Sequence, residues 1–169
     1  MANNFEITFG AAAFIPDATA GPAQLPQVPT GGGRPCLAFD SANVEAAISF
    51  WRRVPAAYTG SGTLKAKLAY AMASATSGKV DWDVYVECVS PGDALDLSSS
   101  SFDSANSGDD TVPGTAKYPD ELTITLTNKD SMAAGDWVRI KVERDADDGT
   151  NDTASGDAYL FGITLYEEV

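Results

Sequence analysis

Five carboxylates crowd the stretch Arg144-Asp-Ala-Asp-Asp-Gly-Thr-Asn-Asp-Thr-Ala-Ser-Gly-Asp157: Asp145, Asp147, Asp148, Asp152 and Asp157. Carboxylate oxygens are the hard ligands that calcium takes, so a calcium loop is one reading. The spacing departs from the EF-hand pattern, because Gly149 falls one position early and no Glu stands at the twelfth place. A solvated acidic loop between two strands is the simpler reading. Asp81, Asp83 and Glu87 form a second acidic set, on one face of a strand pattern. Two converging carboxylates can hydrolyse a glycosidic bond, but a polar strand face in any sheet looks the same, so no enzyme is expected. Trp51 and Trp137 stand at strand ends, where an exposed ring could stack on a sugar. Tyr58, Tyr85, Tyr118 and Tyr166 could join them, and edge packing or a subunit contact is the plainer alternative. Arg52-Arg53 is the only adjacent basic pair; in so acidic a chain it suits a carboxylate across an interface better than a phosphate.

What the chain lacks narrows the chemistry. It has 169 residues and no histidine, which excludes Ser-His-Asp and Cys-His catalysis and imidazole-ligated zinc. Its net charge of −13 disfavours nucleic acid and anionic membrane surfaces as partners. Cys36 and Cys88 belong to no CxxC motif; they are either free thiols or one disulfide. The start, MANNFEITFG, has no basic and apolar signal regions, and no apolar run approaches the length of a membrane helix. Synthesis in the cytoplasm, with no signal peptide, is therefore expected.

The elements that must position these residues are strands. Leu64, Ala66, Leu68, Tyr70 and Met72 fall on one face of a two-residue period, as do Val80, Trp82, Val84, Val86 and Cys88, with a turn at Ser77-Gly78. Leu122–Thr127 and Val138–Glu143 alternate in the same way around a turn at 134–136, and Asn43–Trp51 places Val44, Ala46, Ile48 and Phe50 on one side. Tyr159–Tyr166 is apolar on both sides, and weaker strands are expected near 36–40 and 95–103. Residues 89–119 read as a long loop with one short strand. The pattern predicts an all-β fold, an antiparallel β-sandwich of jelly-roll type, over residues 36–169. Residues 1–35, with Pro16, Pro22, Pro26, Pro29, Pro35 and Gly31 to Gly33, read as an extended N-terminal arm. Its apolar anchors Phe5, Ile7, Phe9, Phe14 and Ile15 would pack on this domain or on a neighbour, and with Arg52 and Arg53 they are the candidate interface residues.

Part of the chain resembles virion structural proteins of tailed bacteriophages. The resemblance is carried by Trp51…Val54-Pro55…Tyr58-Thr-Gly60, by Leu64 to Gly78 with Val80-Asp-Trp82, by Leu126-Thr-Asn-Lys-Asp…Ala134-Gly-Asp136, and by the stretch from Arg144 to Leu160. It implies a β-sandwich with a structural role on the particle: capsid decoration (cement), head fibre or tail component. It also implies a homotrimer that meets the major capsid protein or another virion protein. It supplies no catalytic residues. No cofactor is expected, calcium in the acidic loop aside. The alternative is a carbohydrate-binding module on a tail or fibre tip, using Trp51 and Trp137.

Overall fold

Alternation becomes two facing sheets. The computed structural model describes residues 3–25 and 33–169. Its strands are β1 (Asn3–Gly10), β2 (Phe14–Pro16), β3 (Ala23–Leu25), β4 (Cys36–Phe39), β5 (Glu45–Ser49), β6 (Arg52–Arg53), β7 (Thr63–Met72), β8 (Lys79–Val89), β9 (Asn106–Thr111), β10 (Asp120–Thr125), β11 (Trp137–Arg144) and β12 (Ala158–Glu168). One sheet runs β10-β7-β12-β4-β3, with β1 also on β12; the other runs β2-β5-β11-β8-β9, with β6 also on β11. All pairings are antiparallel. The fold is an all-β antiparallel sandwich, as the alternation requires.

The inward phases of β7, β8 and β11 meet between the sheets. Leu64, Leu68, Tyr70, Val80, Trp82, Val84, Val86, Val138, Ile140 and Val142 are all buried. Trp82 fills the centre, edge-on to Phe39 with ring centroids 5.0 Å apart and tilted against Tyr70 at 6.2 Å. Strand β12 changes phase once. Its register slips between Leu160 and Gly162, so Ala158 and Leu160 face the core before the slip and Ile163 and Leu165 face it after. That bulge explains a run apolar on both sides. It also divides one edge of β12 between β4, on Ala158–Leu160, and β1, from Gly162 onward.

Three expectations need correction. The first residues are extended, but they are not an arm apart from a domain at 36–169. Strand β1 joins one sheet, a single turn of 3₁₀-helix at Ala11–Ala13 crosses over, β2 joins the other sheet, and β3 returns to the first. Phe5, Ile7, Phe9 and Phe14 lie in this chain's own core, because a strand hydrogen-bonded into a sheet must share that sheet's inner face. Pro26, Pro29, Gly31 and Gly32 lie outside the described residues. Second, the side of β5 with Ala46, Ile48 and Phe50 faces out, while Ala47 and Ser49 are buried. Ser49 can face in because its hydroxyl accepts the Ile140 N–H at 3.0 Å. Third, residues 95–103 form no strand; the short strand of that region is β9, and 36–40 does hold β4.

One inward position of β11 carries a charge. Arg144 is fully buried and all five of its N–H donors are used. Nε and one Nη meet the two oxygens of Asp152, each at 2.8 Å. The remaining donors go to the carbonyls of Ala154 and Gly156 at 2.8 Å and of Phe39 at 3.3 Å. Removing one member of such a pair strands the other charge in the core. Asp152→Asn is expected to lower stability by about 3–5 kcal/mol in urea unfolding. The double variant Arg144→Met/Asp152→Asn should lose less than the sum of the two single losses.

Candidate functional site

The two tryptophans singled out by their positions at strand ends come together on the outer face of the second sheet. Trp137 occupies an outward position of β11, between its cross-strand partners Arg53 on β6 and Val89 on β8. Trp51 reaches the same face through a register change. Ile48 pairs with Lys141, but Arg52 pairs with Val138, so one extra residue is accommodated between Ser49 and Arg52. This bulge sets both Phe50 and Trp51 against the Arg139 row. Trp51, Val89, Leu97 and Trp137 line an open cavity of ≈ 320 Å³. Trp137 is 43% and Leu97 69% exposed; Trp51 is half-buried.

Arginines hold the rings in place. The Arg53 guanidinium lies 5.5 Å from the Trp137 ring centre. Arg139 sits between Trp51, at 4.7 Å, and Phe102, at 5.1 Å. It also pairs with the buried Glu87 and donates to Ser100 Oγ at 3.0 Å. Glu87 in turn accepts the Ser101 N–H at 2.7 Å. Glu87 and Arg139 thus pin the 90–105 loop, and Leu97 with it, over this face. Leu97, Val89 and Arg139 escape a sequence reading: Leu97 lies in an irregular loop, and only strand pairing sets the other two beside the tryptophans.

The acidic loop is organised around Arg144. Asp152 has both oxygens on Arg144, and one of them also accepts the Asp81 N–H at 3.2 Å. Asp148 closes a turn, accepting the N–H groups of Thr150 and Asn151 at 2.8 and 3.0 Å, and these bonds hold its pKa below the usual carboxylate value. Asp147 and Asp157 are exposed. Among the described residues no group of three or more His, Cys, Asp or Glu side chains is placed to hold a metal ion. The five aspartates are not gathered at one point: the buried guanidinium holds Asp152, Asp148 closes a turn, and Asp147 and Asp157 are exposed.

The second acidic set is likewise committed. Glu87 belongs to Arg139, and Asp83 accepts the Tyr85 hydroxyl at 3.3 Å. Burial first, and then the neighbouring Asp83 charge, push the Asp81 carboxyl up to about 6. Cys36 and Cys88 are free thiols in opposite sheets, and burial pushes the Cys88 thiol far above its ordinary value. Of the candidate interface residues, Ile15, Arg52 and Arg53 are exposed while Phe5, Ile7, Phe9 and Phe14 are buried.

No family model matches the chain, and no curated protein matches it. Among solved structures it is similar to CBM35 from Paenibacillus barcinonensis, with 18% identity, 96% of this chain and 99% of that chain covered, and a TM-score of 0.53. It is also similar to the CBM36-1 domain of a multidomain xylanase from the hindgut metagenome of Trinervitermes trinervoides, at 12% identity, 98% and 99% coverage and a TM-score of 0.50. A third is a Carbohydrate-Binding Module, CBM36, in complex with calcium and xylotriose, at 20% identity, 94% and 98% coverage and a TM-score of 0.48. At such identities the likeness shows the sandwich fold.

The raised Asp81 pKa makes stability depend on pH. The folded state holds this proton more tightly than the unfolded chain, whose carboxyl titrates near 3.8. The ionised form therefore opposes folding above about pH 6, and the penalty fades as pH falls toward 4. Asp81→Asn should raise the Tm at pH 7.5 by about 2 °C or more and give no advantage at pH 4, as thermal melts at the two pH values would show.

Proposed function

We propose that this chain is a non-catalytic, carbohydrate-binding β-sandwich module whose binding surface is the cavity of Trp51, Val89, Leu97 and Trp137. The carrying observation is that cavity itself: two indoles and a leucine on a rigid sheet, the Trp137 and Leu97 side chains exposed, with the Arg53 and Arg139 guanidiniums 5.5 and 4.7 Å from the ring centres. Aromatic side chains with a free face bury the C–H face of a sugar, and fixed rings lose little entropy on binding. The volume stands at the low end of ligand cavities, roughly 300–1,000 Å³, which suits a short saccharide. The sandwich shared with CBM35 and CBM36-1 supports the reading. Among the described residues no carboxylate lines the cavity, so the reading invokes neither a catalytic pair nor a metal.

A second reading keeps the chain on a virus particle, as the resemblance implies: a structural virion protein that decorates a capsid or forms part of a fibre or tail. Its partners would be two further copies of itself and the major capsid protein. The observation favouring it is the outward side of β5 and β2. Ile15 pairs with Ile48, and with Phe50 they make an apolar stripe, Ile15 57% and Phe50 50% exposed, next to Trp51. Such a stripe is what a subunit contact buries. A fibre or tail tip would accommodate both readings, with the stripe joining subunits and the tryptophan cavity facing a glycan.

Each reading has its own measurement. On a glycan array in EDTA, the wild-type chain should retain a defined set of saccharides, and Trp137→Ala should lose them at least tenfold while melting within a few degrees of wild type. An array with no bound saccharide overturns the first reading. Light scattering should give a trimer that Ile15→Glu/Phe50→Glu converts to monomer; a wild-type monomer at about 100 μM overturns the homotrimer proposed in the second.

A further inference from the structure

The strap that carries Leu97 is tied at its two ends and bonded only to itself between them. The first tie is Ser90, directly after β8, whose Oγ donates to Asp136 at 2.8 Å. The second is Ser100 and Ser101, on Arg139 and Glu87. Residues 91–99 are exposed throughout, and among the described residues all their hydrogen bonds stay within 90–99. Two small turns account for them. Asp93 donates its N–H to the Ser90 carbonyl at 3.1 Å and accepts the Ser90 N–H at 2.9 Å. Asp96 accepts the N–H groups of Ser98 and Ser99, at 2.9 and 3.2 Å. No described atom stands within 4 Å of the place a Cβ on Gly92 would take. The strap borders two open cavities of ≈ 320 Å³ each. Leu97 lines the one with the tryptophans, while Asp93, Ala94 and Leu95 line a second with Glu87, Cys88 and Asp130.

From this we infer that residues 91–99 are a lid over the Trp51–Trp137 cavity, and that the free chain exchanges between the open arrangement described above and a closed one with Leu97 lowered onto the indoles. That the lid retains a bound saccharide rests on the carbohydrate-binding reading; the motion itself does not. A segment with few buried apolar contacts and no hydrogen bond to the body it crosses shifts at little cost. Closing has an apolar reward, because Leu97 and Trp137 are both exposed and leave water together. The second cavity offers no such reward. It is lined by the carboxylates of Glu87, Asp93 and Asp130, and pressing Asp93 toward the other two brings like charges together. On the tryptophan side the Asp93 and Asp96 carboxylates ask for no new partner, since each already accepts an N–H within the strap. The ties at Ser90 and at Ser100 and Ser101 keep the lid above this face and limit its travel. Closed, it shields both rings and slows the release of what lies between.

The test is NMR relaxation dispersion on the full chain with no saccharide present, since lid motions run on the μs–ms scale that this measurement reads. Exchange with one common rate should appear at the backbone N–H groups of 94–98 and at the indole N–H groups of Trp51 and Trp137. The indole of Trp82, buried in the core, should show none. Leu97→Ser alters an exposed side chain and leaves both ties in place. It should cut the exchange amplitude at the two indoles at least threefold, because the closed arrangement loses its apolar contact. Leu95→Ser, on the side of the second cavity, should leave that amplitude unchanged. Exchange confined to the strap, exchange at the indoles that survives Leu97→Ser, or no exchange at either place overturns the inference. Because no saccharide enters the measurement, a chain that retains nothing on the glycan array loses the carbohydrate-binding reading and keeps its lid.

Discussion

A guanidinium in the interior of a β-sandwich organises one whole end of this protein. Arg144 continues the inward phase of Val138, Ile140 and Val142, so the pleat directs its side chain into the core. An unpaired charge there would cost several kcal/mol. The loop after β11 removes that cost by folding back, with Asp152 and the carbonyls of Ala154 and Gly156 around the fork and Phe39 O closing it. Because that loop leads into β12, the same contacts help to fix where β12 begins. The acidic composition of 145–157 serves this clamp and the turn at Asp148.

The device recurs at other positions. Glu167, an inward residue near the end of β12, is fully buried and accepts the N–H groups of Thr59 and Gly62, both at 2.9 Å, so it ties down the loop before β7. Glu87, outward on β8, holds Arg139 and the Ser101 N–H. Each buried charge lies near a strand end or beneath a loop, and each turns an irregular segment into a fixed one. The cavity depends on this: Glu87 and Arg139 hold Ser100 and Ser101, in the middle of the 90–105 segment, beside Trp51. The rigidity of the site is set by polar pins under an apolar surface.

Much of the sheet structure was legible because a half-buried strand must alternate. The inward sets of β7, β8, β10 and β11, the turns at Gly78 and Gly135, and the outward setting of Trp137 all follow from a two-residue period. The period fails where a residue is inserted. At β12 the slip before Gly162 made a half-buried strand look apolar on both sides. At β5 the apolar side faces water and a serine faces in, because the register sets Ala47 opposite the inward Val142 and the Ser49 hydroxyl serves the Ile140 N–H. Proline and glycine content likewise marked the first residues as extended without saying what they would pair with, since a strand's partner is a property of the other strand's free edge.

The sequence by itself determined the class of fold, the exclusion of histidine chemistry, the acidic character of the surface and the shortlist of residues able to act. It named Trp51 and Trp137, and it named the aspartates of 145–157. Only the tertiary structure decided that the two tryptophans, 86 positions apart in the chain, share one cavity, and that Asp152 meets the buried Arg144. The reason is physical. Alternation is a local property, fixed by the geometry of two successive residues. Which face is left open, and which charge meets which, depends on register and burial, and these are set by contacts between strands far apart in sequence.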